Sequence, residues 1–429
     1  MSYALPIGAP AVARRPGTST LELAFLVGGG VVFATQVLQV FFRSDMDFGG
    51  ANASPAAARV FAAFYAGLLV LSVGRRRGLT GTALAAPLFL VLLAFPLASL
   101  YWSVNRGATL SPAIAVFGTG LLGFYLAMRF DMRQLIVVLG LIYGLAGLGS
   151  TVLALAVPSK GVMDGVWAGA WSGLYVHKNS LGAGAAIGAV VLIYAIGLTR
   201  GPLRVFFMAA LAATLLALVK AHSATALVNM ALLVCVMLWA RLAQKSPGRT
   251  IPLTLAGFGL LALLVLEVLV VDGLDPFFQL VGRSADISGR LPLWEITLQY
   301  VGARPLLGYG YEAFWIPFSS QVEFVASVVH YRPFYSHNGI TETLLNGGVV
   351  LVALVVTAYV VSTARALRLL LSGERRFYAT FPLVFMAFFL VANLTESRIL
   401  FRNDLIWTLF VTVGVMLAVR SRAARAPAP

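Results

Sequence analysis

The sequence predicts an all-α polytopic membrane protein of about 12 transmembrane helices with one large outward loop that carries short amphipathic helices. Three observations predict it. Apolar residues make up 60% of the 429-residue chain and charged residues only 11%, against about a quarter charged in soluble domains. Apolar runs of bilayer-crossing length recur along the chain, as spanning helices of about 20 residues require. A single long polar interval, from about Asp272 to Gly347, interrupts them.

The runs centre near residues 31, 66, 92, 118, 145, 189, 211, 233, 261, 360, 386 and 411. They divide the chain into a tail (1–20), nine spans (21–271), the large loop (272–347), three spans (348–419) and a second tail (420–429). Nineteen of the 31 Lys and Arg fall on the side shared by both termini, and short loops divide 19 to 8. Positive residues stay inside, so the termini are expected in the cytoplasm and the long loop outside, facing the periplasm of a Gram-negative cell across its inner membrane. The net charge of +15 then reads as anchorage on anionic lipid and implies no nucleic-acid partner. Cys235 is the lone cysteine and excludes an internal disulfide. The first span is expected to serve as an uncleaved signal. Glu22 and Glu267 lie near segment ends, and the scarcity of ionisable groups at mid-span argues against an ion-coupled transporter.

The segments up to Val157 mix Gly and Ala with Leu, Val and Phe, the composition of close helix packing in lipid. The loop that follows ends in His177-Lys178-Asn179. These residues read either as helix caps behind an aromatic belt of tryptophans or as contacts to a phosphate or sugar, since a helix N-terminus favours anions. Lys220, His222 and Ser223 form a short link that would add donors to the same pocket or serve as a plain polar turn. In the long interval, Ser288-Gly-Arg290-Leu-Pro292 supplies helix-start residues, with Arg283 just upstream. Leu291, Trp294, Leu298 and Val301 then give one face of an amphipathic helix, lying on the membrane surface, that Arg304-Pro305 ends. Thirteen of the 49 aromatics fall in these 76 residues, as interfacial anchors or as faces for sugars.

The interval closes on Phe334-Tyr-Ser-His337-Asn338-Gly339, then Thr341 and Glu342 on a helical stretch ending at Asn346-Gly347-Gly348. His337 beside a membrane and among arginines is a candidate base, although a lone histidine is more often structural. The outward loops hold no His-Glu-x-x-His, no Cys/His cluster and no Asp-x-Asp, so no metal ligand set is visible. Without a nucleotide loop either, no cofactor is expected and the substrate must arrive activated.

His177-Lys178-Asn179-x-Leu181-Gly182, Ser288-Gly289-Arg290-x-x-x-Trp294, Arg304-Pro-Leu-Leu-Gly-Tyr-Gly310 and His337-Asn338-Gly339-x-x-Glu342 together resemble the O-antigen ligase and polymerase superfamily of bacterial polysaccharide assembly. The resemblance departs at the link after the seventh span, where the family often has an arginine and this chain has Lys220 and His222, and at Ile340, where an aromatic is common. It implies transfer of O-antigen from undecaprenyl diphosphate to a sugar of lipid A core, with inversion and without metal. His337 would be the general base, its residue type titrating near neutrality. Arg290 and Lys178, with Lys220, Arg398 or Arg402, would neutralise the leaving diphosphate. Asn179, His177, Ser223, Arg283, Asn338 and Glu342 would bind substrate. A polymerase or a protein O-oligosaccharyltransferase of the same superfamily is the alternative, the lack of a large C-terminal extension weighing against the latter, and a transporter is the remaining one.

Overall fold

The structure, a computed structural model, describes residues 18–42, 55–246, 290–374 and 376–424, together with 248, 250, 252 and 254. The span expected near 261, Arg283 and the helix-start residues Ser288 and Gly289 lie outside the described residues. Among the described residues the fold is all-helical apart from a single isolated bridge, Val162 to Trp171. Among the described residues nine helices are long and apolar enough to cross a membrane, ten if one bent pair is counted as a span.

The chain opens with α1 (Thr20–Ala34) and α2 (Val37–Phe42). They are one predicted span broken at Thr35-Gln36, where Thr35 Oγ1 turns back onto the Val31 carbonyl at 2.8 Å. The break has a use: Gln36 receives Val176 N–H on its side chain and donates its own N–H to Leu174, both at 3.0 Å. After α3 (Pro55–Gly74), the predicted third span is a pair, α4 (Arg76–Ala85) and α5 (Pro87–Ala98), bent by 100°. Pro87 lacks the N–H that would carry the helix on, and the residue before a proline is driven out of the helical region. Next come α6 (Arg106–Arg129), α7 (Met132–Ala156), the short α8 (Pro158–Gly161), α9 (Lys178–Leu198), α10 (Gly201–Lys220) and α11 (Ala224–Lys245). On α7, a Cβ on Gly140, Gly144 or Gly147 would press on Ala195 and Phe207, Ala210, or Thr214, so this stripe lets α9 and α10 approach closely.

The segment before the last three long helices contains α12 (Arg290–Ala303) and α13 (Ser320–Val329), and the chain finishes with α14 (Gly339–Leu371), α15 (Phe381–Thr395) and α16 (Leu405–Ala423). Helix α12 has the predicted extent, but its inward face is Leu293, Ile296 and Thr297, and Leu298 is 51% exposed. Of the predicted face, Trp294 and Val301 do pack against this side and Leu298 does not, because α12 packs into a small core of its own with Tyr309, Phe314, Val325 and Leu345 rather than lying alone on a surface. Helix α14 is broken at Gly348 (φ 63, ψ −163). The Pro305-Leu-Leu-Gly-Tyr-Gly310 segment straps the break: Val349 and Val350 donate to the Pro305 and Leu306 carbonyls, and Tyr309 N–H to Leu345. That is what the glycine-rich motif does. Gly308 (φ 63) and Gly348 face each other's backbone so closely that a Cβ at either would lie 2.5 Å from Leu345 O or 2.2 Å from Leu306 C.

The arginine-bearing helix ends gather at one end of the bundle. Arg75 and Arg129 both bond Glu22, and Arg420 bonds Glu374. The segment 290–338 and the loops at 99–105 and 396–404 meet at the opposite end, through Val104 N to Tyr309 O, Tyr311 N to Ser99 Oγ and Tyr311 O–H to Leu400 O.

Candidate active site

His337 stands on a turn locked from several directions. Its own backbone is left-handed (φ 52), a conformation an ordinary residue holds only where its neighbours fix it. Ser336 N–H donates to Glu342 Oε2 at 2.8 Å, the Ser336 hydroxyl donates to Asn338 O at 2.9 Å, and Trp294 Nε1–H donates to Ser336 O at 2.8 Å. Asn338 caps α14, its Oδ1 accepting from Ile340 and Thr341 N–H at 3.0 Å each. Gly339 is obligatory because a Cβ there would meet Asn393 Oδ1 at 2.3 Å. Buried Glu342 also accepts from Trp315 Nε1 at 3.0 Å. Asn338 and Glu342, expected to bind substrate, thus spend these groups on presenting His337.

The partner of His337 is a residue that sequence reasoning missed. Glu396 caps the C-terminus of α15 and places Oε2 3.3 Å from His337 Nδ1. Tyr335 O–H donates to the same oxygen at 3.1 Å, and the Tyr335 ring leans on the imidazole at 4.2 Å between centroids. A carboxylate on Nδ1 favours the tautomer protonated there, which leaves the Nε2 lone pair available as a base. The signal that would have found Glu396 was its place in the charged link between the last two spans, from which only Arg398 and Arg402 were singled out.

Both arginines are in ion pairs. Arg398 lies 3.2 Å from Asp404 Oδ2 and Arg402 pairs with Glu312. Burial works against the Arg398 charge, but Asp404, Glu396 and Tyr335 outweigh it and hold the guanidinium above its ordinary value. Burial pulls Arg402 below its own. The loop carrying them is tied down by Asn393 Oδ1, which accepts from Arg398 and Ile399 N–H.

His177 caps α9, its Nδ1 accepting Asn179 N–H at 3.2 Å, with its ring edge-on to Trp167. Burial, then the charge of Lys178, lowers its pKa, and the charges of Glu396 and His337 reach it as well. Lys178 Nζ donates to His222 O at 2.9 Å, so the 221–223 link joins the N-terminus of α9. Asn179 and Lys220 are exposed, and Ser223 is buried at the start of α11 beside Gly182. Arg290 opens α12 one turn before Trp294. Among the described residues no group of three His, Cys, Asp or Glu is placed to hold a metal ion.

Beside this base lies a cavity of about 1030 Å³, lined by Tyr335, Glu396, Arg398, Arg402, Glu312 and Trp315, by residues of α1, α3 and α6, and by Tyr175, Val176 and Ser180 around the start of α9. His337 is not in its wall; Tyr335 and Glu396 stand between.

Fold and site therefore define a multi-pass helical membrane protein with a histidine–carboxylate pair at one end of the bundle. Residues 209–356 match the family model described as O-Antigen ligase. The chain is 24% identical over 290 residues, 66% of its length, to the exopolysaccharide production protein ExoQ of Rhizobium meliloti (strain 1021), and spans about 65% of that relative's length. Both matches support a place in the O-antigen ligase superfamily. The matched family segment holds Lys220, Ser223, Arg290, His337 and Glu342; Glu396 and the cavity-lining helices α1, α3 and α6 lie beyond it.

Proposed function

We propose that this protein is an O-antigen ligase acting at the periplasmic face of an inner membrane, transferring a glycan from undecaprenyl diphosphate to a sugar hydroxyl of lipid A core. The observation that carries the reading is the His337–Glu396 pair at the rim of a cavity wide enough for sugars. The acceptor oxygen attacks the anomeric carbon as the bond to the diphosphate oxygen breaks. Its proton passes to His337 Nε2, and Glu396 stabilises the imidazolium through Nδ1 as a triad carboxylate does. Undecaprenyl diphosphate leaves with the bonding pair, its charge met by Arg290 and Lys178 with Lys220. Direct displacement inverts the anomeric centre.

A second reading has its own support. The similarity to an exopolysaccharide production protein favours a polymerase, in which a growing glycan replaces lipid A core as acceptor. Reconstituted protein offered one labelled undecaprenyl diphosphate glycan and either acceptor separates the two. Ligase activity predicts label on lipid A core in the presence of EDTA; label only in longer lipid-linked glycans selects the polymerase, and a requirement for added divalent metal refutes the mechanism.

A further inference from the structure

The strap that crosses the break in α14 turns two aliphatic side chains outward: Leu306 is 67% exposed and Leu307 39%. An exposed leucine alone says little, but the backbone beneath these two is bonded in an unusual way for a surface turn. The carbonyls of Arg304, Pro305, Leu306, Leu307 and Tyr309 accept from Gly308 N–H, Val349 N–H, Val350 N–H, the Trp102 indole and Val104 N–H, all within 3.3 Å. A turn in water can leave its carbonyls to the solvent, whereas irregular backbone against hydrocarbon must bond them within the protein. The break itself is closed the same way. Leu345 O, the helical acceptor that Val349 would use, takes Tyr309 N–H instead, and the strap supplies the acceptors that Val349 and Val350 have lost.

The two leucines also continue an exposed apolar face. Beyond the break, Val349, Val356, Val360 and Leu367 are exposed along one side of α14, a helix long and apolar enough to cross a bilayer. Exposed Arg368, near its far end, marks where polar surroundings resume. From Val349 to Arg368 the helix rises about 28 Å, close to the ~30 Å of a hydrocarbon core. Val349 therefore stands at the other boundary of that core, and Leu306 and Leu307, bonded alongside it, stand at the same level. Aromatics of the interfacial kind accompany them: Trp102, whose indole holds Leu307 O, and its neighbour Tyr101, which is largely exposed.

We propose that the strap is a membrane seat: Leu306 and Leu307 insert into the phospholipid acyl chains of the leaflet on the His337 side, beside Val349, while the strap backbone stays at the boundary. The seat fixes the height of the site, because Tyr309 N–H holds the last turn of α14 before the break. From Gly339 to Gly348 the helix rises at most about 14 Å, so the start of α14, next to His337, is kept within that distance of the acyl chains. The assignment is independent of the transfer reading and of which side of the membrane this end faces.

Fluorescence quenching tests the seat. Full-length Cys235→Ala protein carrying Leu306→Cys or Leu307→Cys is labelled with a nitrobenzoxadiazole dye. It is reconstituted in phosphatidylcholine liposomes spin-labelled either near the headgroup end or halfway along the acyl chain. Val356→Cys, about 10 Å farther along α14, and Val166→Cys, on an exposed loop, serve as references. At Leu306 and Leu307 the dye should emit at shorter wavelength than at Val166, resist aqueous iodide, and lose more fluorescence to the shallow spin label than to the deep one. Val356 should show the reverse depth preference. Water-like emission with iodide quenching as strong as at Val166 overturns the seat. Shielding from iodide and from both spin labels assigns the leucines to a protein contact, such as a second copy of the chain, and overturns it as well. Wild-type protein supplies a test that needs no folding of variants: in liposomes of a phosphatidylcholine with a diazirine on its acyl chain, light should attach lipid to the peptide holding Leu306 and Leu307. Labelling of α14 peptides without that one refutes the proposal.

Discussion

At the scale of single residues the proposed reaction rests on His337 and its carboxylate. His337→Ala should lower the transfer rate by roughly 10² to 10⁴-fold, and its residual activity should rise with pH as hydroxide replaces the missing base. Glu396→Gln can still receive the Tyr335 hydroxyl but cannot stabilise an imidazolium, so a loss of roughly 10²-fold or more is expected at unchanged donor KM. Glu342→Gln should behave differently, because an amide oxygen still accepts Ser336 N–H; a near-normal rate with a lower melting temperature marks it as a positioning residue. A wild-type rate in Glu396→Gln would reduce the pair to a structural contact. His337 was legible in the sequence because it lies in the one long polar interval, beside a helix start. Glu396 was not, since it comes 59 residues later and only folding of the last two spans brings it to the imidazole. Asn338 and Glu342 were legible as important, but not as the groups that hold the turn, because capping and backbone bonds leave no trace distinct from ligand binding.

At the scale of elements, the helix starts and the strap decide how firmly the site is held. The Gly308 and Gly348 crossing leaves no room for a methyl group, and both residues are in the left-handed region. Gly348→Ala should therefore cost about 1–3 kcal/mol from backbone strain alone, read as a lower melting temperature in detergent, with transfer falling as the α14 N-terminus loses its register. The His177 cap adds a pH dependence. Its pKa is lowered by burial and Lys178, so on acidification the unfolded chain takes up a proton before the folded one does. Both forms are neutral well above the ordinary histidine value, about 6.5, where the group is neutral to stability; as pH falls below it, stability is lost. His177→Asn keeps a capping side chain without the titration and should flatten the fall in melting temperature below that pH; an unchanged slope would assign the acid sensitivity to other groups. The boundaries of α12 were readable from Arg290 and from Arg304-Pro305. Its buried face was readable only in part, at Trp294 and Val301, because a tertiary core added Leu293, Ile296 and Thr297 and left Leu298 outside.

At the scale of the whole molecule, alternation of apolar runs and arginines carried most of the architecture; the α4–α5 break follows from Pro87, while the α1–α2 break is met by the distant loop at Leu174 and Val176. The end where the arginines gather is also knitted together: Glu22, 2% exposed in its side chain, binds Arg75 and Arg129 and receives the Tyr125 hydroxyl at 2.6 Å. Glu22→Ala would leave Arg129 buried without its carboxylate, a loss of about 3–5 kcal/mol visible as a lower melting temperature. The assignment of that end to the cytoplasm rests on charge counting, and every statement about the site's access depends on it. Single cysteines in a Cys235→Ala background test it directly. Val166 is 92% exposed at the His337 end, Ser320 is exposed on α13 and Ser246 is exposed at the other end. In intact spheroplasts an impermeant maleimide should label Val166→Cys and Ser320→Cys and reach Ser246→Cys only after lysis. Labelling of Ser246→Cys before lysis, with the other two silent, would put His337 in the cytoplasm, away from any glycan displayed on the outer leaflet, and would remove the physical basis for transfer to a lipid-borne acceptor there.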